Sequence, residues 1–195
     1  ADRMTIAASA TETLRVSLSD PDVVCIGPVY HEQTVDNGIH MAGKLMTAEL
    51  FAHVYDLVRA GEDFVPLHVP VATLSGNVIT LTIDGPDGYL VADDDWLPTL
   101  DDYGLFYNDD AGSAAIQSVQ VNTRSIQLTL DAVPTGANPT VYIAGQNNAS
   151  DENRPGGMCS IYVPGPQSFW HRHGFAKWTT PEIRFYLCRD AVAVS

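Results

Sequence analysis

Hydrophobic and polar positions along the chain change their period near residue 62. Before that point the spacing is helical, interrupted by one short apolar run. The stretch MTIAASATETLRVSLSD (4–20) is rich in helix formers and ends at Asp20-Pro21, a pair that stops a helix. DVVCIGP (22–28) is almost wholly apolar and closes on Gly27-Pro28, which predicts a short strand buried on both faces. A polar loop, YHEQTVDNGIH (30–40), comes next. In AGKLMTAELFAHVYDLVRAG (42–61), Met46, Leu50, Val54, Leu57 and Val58 recur on one helical face, and Gly61 is placed to cap its C-terminus. Helix, buried strand, loop and helix are a slice of a doubly wound α/β sheet.

After FVPLHVPVA (64–72) the period shortens to two. GNVITLTIDG, GYLVADD, DYGLFYND, AAIQSVQVN, SIQLTLDAVP and TVYIAGQ are short alternating or apolar runs separated by turn residues such as Pro86-Asp87-Gly88. SVQVNTRSIQLTL (118–130) reads as a hairpin turning near Asn122 and Thr123, and EIRFYLCRDAVAV (182–194) as a closing strand. This texture predicts an α/β portion over 1–62, a linker at 63–75 and an antiparallel β-sandwich over 76–195. Within the sandwich, residues 146–182 are rich in Asn, Gly, Pro and aromatics and read as an ordered, loop-rich region.

Composition narrows the functional classes. With 195 residues, 45% of them hydrophobic and 17% charged, the chain can bury a core and is not disordered. A formal charge of −14, with Lys and Arg scattered, excludes a nucleic-acid binder, which needs cations to neutralise phosphates. No segment approaches the roughly 18 apolar residues of a membrane helix. The chain begins ADRMTIAASA, without an initiator Met, as a fragment or cleavage product would. Cys25, Cys159 and Cys188 show no Cys-x-x-Cys spacing. Cys25 reads as a small buried hydrophobe, and a Cys159–Cys188 disulfide is one option for the other two.

Four places carry candidate chemistry. His40, four residues after Asp36 and three after Asn37, opens the second helix and is a candidate general base; the alternative is a histidine that packs in a loop. In VYIAGQNNAS (141–150), Asn147 stands where a Gly-Gln-Ser-Asn block would hold its serine, but an amide cannot attack an ester. In HRHGFAKW (171–178), His171 and His173 make half a metal site at most, and no third ligand is evident. Trp170 and Trp178, with Phe169 and Phe175, either form a sugar-stacking platform or cover one end of the sandwich. Finally, Asp84 to Gly112 holds nine aspartates without Lys or Arg, which suits solvated acidic loops or bound Ca²⁺; the EF-hand spacing is absent.

The segment LRVSLSDPDVVCIGPVYHE (14–32), then VDNGIH (35–40) and the helix after it, resembles the C-terminal end of SGNH-type esterases. Within that family the likeness is to carbohydrate O-acetylesterases of the sialate-acetylesterase kind and to hydrolases fused into phage tail proteins. It is specific over 14–58. GLFYNDDAGSAAIQSVQVNTRSIQLTL (104–130) resembles the β-sandwich appended to some of these enzymes. The resemblance implies a three-layer α/β domain of which 1–62 is a remnant, with His40 as base for a serine and an Asp orienting the ring. The family motif is Asp-x-x-His, so here Asn37 takes the Asp position and Asp36 stands one residue further back. In a serine protease a comparable Asp-to-Asn swap costs about 10⁴ in rate. The family's serine and oxyanion-hole blocks do not precede His40. The implied partners are therefore an acetylated polysaccharide or glycan and an N-terminal segment or chain carrying the serine; self-association is left open. No cofactor is required, and the implied location is extracellular or on a virion. The rival expectation is a non-catalytic glycan-binding or structural module of a tail or virion protein.

Overall fold

A computed structural model describes residues 8–29, 34–35, 40–41, 44–97, 100–145, 157–177 and 179–195. Two helices precede the β-rich part. The first, α1 (Ala8–Ser19), stops where Asp20-Pro21 dictates, and it buries Leu14. A two-residue hairpin, β1 (Thr34–Val35) against β2 (His40–Met41), leads to α2 (Leu45–Ala60). Met46, Leu50 and Val54 form the buried stripe of α2, at i, i+4 and i+8. Gly61, at φ 83°, returns its N–H to the Val58 carbonyl (3.0 Å), which ends the helix as the sequence leads one to expect. Leu57 and Val58 do not join the stripe; Val58 is exposed.

Among the described residues ten strands follow, in three antiparallel sheets. The largest is ordered β3 (His68–Ser75), β4 (Val78–Asp84), β8 (Ser125–Leu130), β7 (Ile116–Val121). The second is β12 (Asp190–Ala193), β9 (Thr140–Ile143), β6 (Leu105–Asn108). The third is β11 (Glu182–Tyr186), β10 (Ile161–Gln167), β5 (Val91–Ala92). Alternation places Ile79, Leu81, Ile126, Leu128 and Leu130 from the first sheet in one core with Leu105, Val141 and Ile143 from the second. Ile161, Val163 and Phe185 of the third sheet join the same core. The C-terminus stitches two sheets together: Val194 bridges Ala72 in parallel, and Ser195 and Ala72–Leu74 exchange backbone hydrogen bonds of 2.9 and 3.0 Å. A second small cluster, Leu97, Leu100, Met158, Tyr162 and Tyr186, closes one flank. No helix among the described residues is long and apolar enough to cross a membrane.

Four expectations need correction. Residues 22–28 are not a buried strand: they form an irregular connection in which Val23 and Val24 are exposed. Apolar character there had no described strand to pair with. Most of the presumed linker, 68–75, is β3, whose Val69 and Ala72 lie in the core. The loop-rich region holds β10, hidden in the sequence by Pro164 and Pro166 and irregular in register between Pro164 and Gln167. The single closing strand is two, β11 and β12, belonging to different sheets.

Candidate functional site

The hairpin before α2 sets the position of His40. Val35 pairs with His40 and Thr34 with Met41. Asp36 and Asn37, the two candidates for orienting His40, lie outside the described residues. The chain then enters α2 through Lys44, held in the left-handed region at φ 51°. His40 thus occupies a strand end just ahead of a helix.

A carboxylate on α2 joins this region to the aromatic segment of the β-rich part. Ser168 Oγ donates to Glu49 Oε2 (2.7 Å), and the Phe169 N–H donates to Glu49 Oε1. Ser168 Oγ in turn accepts from the His171 N–H (3.2 Å), as a helix N-cap does, and starts the short turn His171–Phe175. On that turn His173 lies 4.2 Å from the Phe169 ring, centroid to centroid. Trp170 meets both Phe169 and Phe175 edge to face, at 5.3 and 5.4 Å. Phe169, His173 and Phe175 are exposed and Trp170 is half-buried, so the group offers aromatic faces to solvent. Trp178 lies outside the described residues. His171 points elsewhere: its Nδ1–H donates to the Thr179 carbonyl (2.9 Å). No group of three metal-ligating side chains occurs among the described residues.

A shallow pocket of about 10 Å³ lies between α2 and β11, with Met46 and Leu50 on one wall and Thr180, Glu182 and Arg184 on the other. Glu182 and Arg184 belong to a partly buried ion network. Arg184 donates to Asp95 (2.7 and 3.1 Å) and Glu182 (2.8 Å), lies 3.1 Å from Asp93, and stacks 4.5 Å from the Tyr162 ring centroid. Asp93 Oδ1 gathers the N–H groups of Asp95, Trp96 and Leu97 (3.2, 2.9 and 3.3 Å), and its Oδ2 accepts from the Tyr186 hydroxyl. Burial opposes charge on Arg184, but Asp95, Tyr186 and Glu182 outweigh it and hold the guanidinium firmly protonated. Arg184 holds Asp95 below the usual carboxylate range, while burial and Asp93 push the Tyr186 hydroxyl well up. Arg184, Asp95 and Tyr186 thus each keep one protonation state at neutral pH, which suits a structural junction.

The aspartate-rich stretch is used in a similar way. Asp109 accepts from Ser113 Oγ (2.5 Å), Ser113 N (2.9 Å) and Gly136 N (3.1 Å), and the Ser113 hydroxyl bond above all holds its carboxyl down to about 2. Asp93 and Asp109 therefore spend their oxygens on the protein's own donors. The Gln146–Asn148 part of the serine-like block falls outside the described residues. Glu49 and Ser168 carried no sequence signal, because their pairing links positions 119 apart.

No protein-family model, curated protein or solved structure matches this chain.

Proposed function

We propose that this chain is the C-terminal part of a serine-type carbohydrate O-acetylesterase, in which residues 1–62 complete an α/β domain and the three small antiparallel sheets, none closed into a sandwich, are the appended β-rich module. One observation carries the reading: α2, which follows the His40 strand, carries more apolar surface than it buries. Met46, Leu50 and Val54 face the body of the protein. Beside that stripe, roughly 100° round the helix, Phe51 (57% exposed) stacks on Tyr55 (52% exposed), ring centroids 6.2 Å apart, and Val58 is also exposed. A helix whose apolar surface is wider than the face it buries has room for a further neighbour. The neighbour proposed for that surface is an α/β segment bearing the serine.

In that assembly the serine Oγ attacks the acetyl carbonyl while His40 takes its proton. His40 then passes the proton to the departing sugar oxygen, leaving an acetyl-serine that water hydrolyses with His40 again as base. Asp36 or Asn37 orients the imidazole. Trp170 and its aromatic neighbours, with Trp178, bind the glycan. By this account the isolated 195 residues release no acetate, whereas the serine-bearing assembly does so in a manner that depends on His40. A fluorophosphonate probe that labels the assembly, and fails to label it after His40→Ala, supports the reading. Turnover by the isolated chain, lost on His40→Ala, would overturn the dependence on a second segment.

The solvent-facing Phe169, Trp170, His173 and Phe175 favour a second reading, a glycan-binding module without catalysis. Glycan binding sensitive to Trp170→Ala, in an assembly that resists the fluorophosphonate, would select it.

A further inference from the structure

The Ser168 N–H donates to the Pro181 carbonyl (2.9 Å), so residues 168–181 leave and rejoin the body at one point, as an Ω-loop does. The loop is also tied to itself, by His171 to the Thr179 carbonyl (2.9 Å) and by Thr179 Oγ1 to the Phe175 carbonyl (3.0 Å). Its feet, Ser168, Thr179 and Thr180, are buried, while Phe169 and Phe175 project into solvent. Rings that face water gain little from burial, so packing alone does not hold them in place. Hydrogen bonds at the start of the turn do. Half-buried Glu49, on α2, spends both carboxylate oxygens there: Oε2 on the Ser168 hydroxyl (2.7 Å) and Oε1 on the Phe169 N–H. Ser168 Oγ passes the restraint on by accepting the His171 N–H (3.2 Å). Hydrogen bonds to an anion are about twice as strong as neutral ones, so one side chain of α2 fixes the first turn of the loop. Trp170 lies edge to face between Phe169 and Phe175, and its orientation follows from that turn.

We propose that Glu49 is the positioning residue of the aromatic platform: it caps the turn from outside and makes ligand binding at 168–181 conditional on the seating of α2. The inference rests on the glycan-binding reading of Trp170 and its neighbours. It adds a coupling to that reading. Because α2 follows the His40 strand, one helix sets both the base and the sugar platform, and their relative positions are fixed together. Glu49 touches no sugar; it acts through Ser168 and Phe169.

The test combines amide hydrogen exchange and calorimetric titration with an O-acetylated oligosaccharide, both on the full chain. Glu49→Ala should speed exchange at the Phe169 and His171 amides about tenfold and weaken binding by about the same factor, with exchange in β4 and β8 unchanged. Glu49→Gln still accepts from the Phe169 N–H, and its amide can donate to Ser168 Oγ, so both readouts should return to within about threefold of the native chain. That rescue separates positioning from a general loss of structure. If Glu49→Ala fails to fold, Ser168→Ala removes the same relay at its middle member and should loosen the His171 amide and weaken binding. Unchanged exchange at Phe169 and His171 would overturn the cap. Loosened amides with undiminished binding would overturn the positioning role and leave the cap. A native chain that binds no oligosaccharide would sink the glycan reading and the positioning role with it, whatever the exchange shows.

Discussion

Replacing Arg184 by Met tests whether its ion network holds β11 to the loop after β5. Met keeps much of the stem's apolar contact and removes the charge. The structure sets the magnitude. The Asp93 side chain is wholly buried, so the substitution leaves an anion in the interior without its cation. Breaking such a pair from one side costs about 3–5 kcal/mol. Asp93 retains three backbone N–H donors and the Tyr186 hydroxyl, which places the expected loss near the lower end, about 3 kcal/mol. Asp95, whose side chain is 59% exposed, regains water when released, so Asp95→Ala should cost at most about 1 kcal/mol. In urea unfolding followed by tryptophan fluorescence, a slope of about 2 kcal/mol/M converts 3 kcal/mol to a midpoint shift of about 1.5 M. Adding Asp93→Asn to Arg184→Met should recover part of the loss, because the stranded charge disappears. The reasoning fails if Arg184→Met costs no more than Asp95→Ala, or if the two losses at 93 and 184 simply add.

Two further outcomes can be stated. Asp109 has a folded pKa of about 2, below its unfolded value of about 3.9, so its contribution to stability is complete above pH 4 and is lost as pH falls towards 2. Ser113→Ala removes the hydroxyl donor and should move that acid-unfolding limb to higher pH; a limb in the same place would show that the hydroxyl does not govern it. Trp170→Ala should weaken binding of an acetylated oligosaccharide about tenfold by calorimetry, with the far-ultraviolet circular dichroism unchanged. Equal affinity would remove the aromatic turn from the glycan site.

Local chemistry was legible in the sequence wherever one residue decides a conformation. Pro21 ends α1, Gly61 caps α2, and the alternation in 116–130 sets the β7–β8 hairpin, whose turn falls at Asn122–Arg124. Burial was harder to read, because an apolar run states a preference for company without naming the neighbour. Val23 and Val24 look like strand core and are exposed; Phe51 and Tyr55 leave an exposed aromatic pair beside the buried stripe of α2. Long-range polar pairing left no trace at all. Arg184 with Asp93 and Glu49 with Ser168 each join distant segments, and only the folded chain brings them into contact. Of the candidate site, the place of His40 just ahead of α2 was readable from the helical period, whereas its strand was not, because 30–40 reads as a polar loop. The anchoring of the aromatic turn by Glu49 was not.

The central claim is that His40 acts as the base in deacetylation of a glycan. Acetate release from an O-acetylated polysaccharide, measured for the native serine-bearing assembly and for the same assembly carrying His40→Ala, tests it most directly. Loss of general-base help predicts a fall in kcat of at least about 10³ with the fold retained. A variant that releases acetate at the native rate, or a native assembly that releases none, would contradict the account.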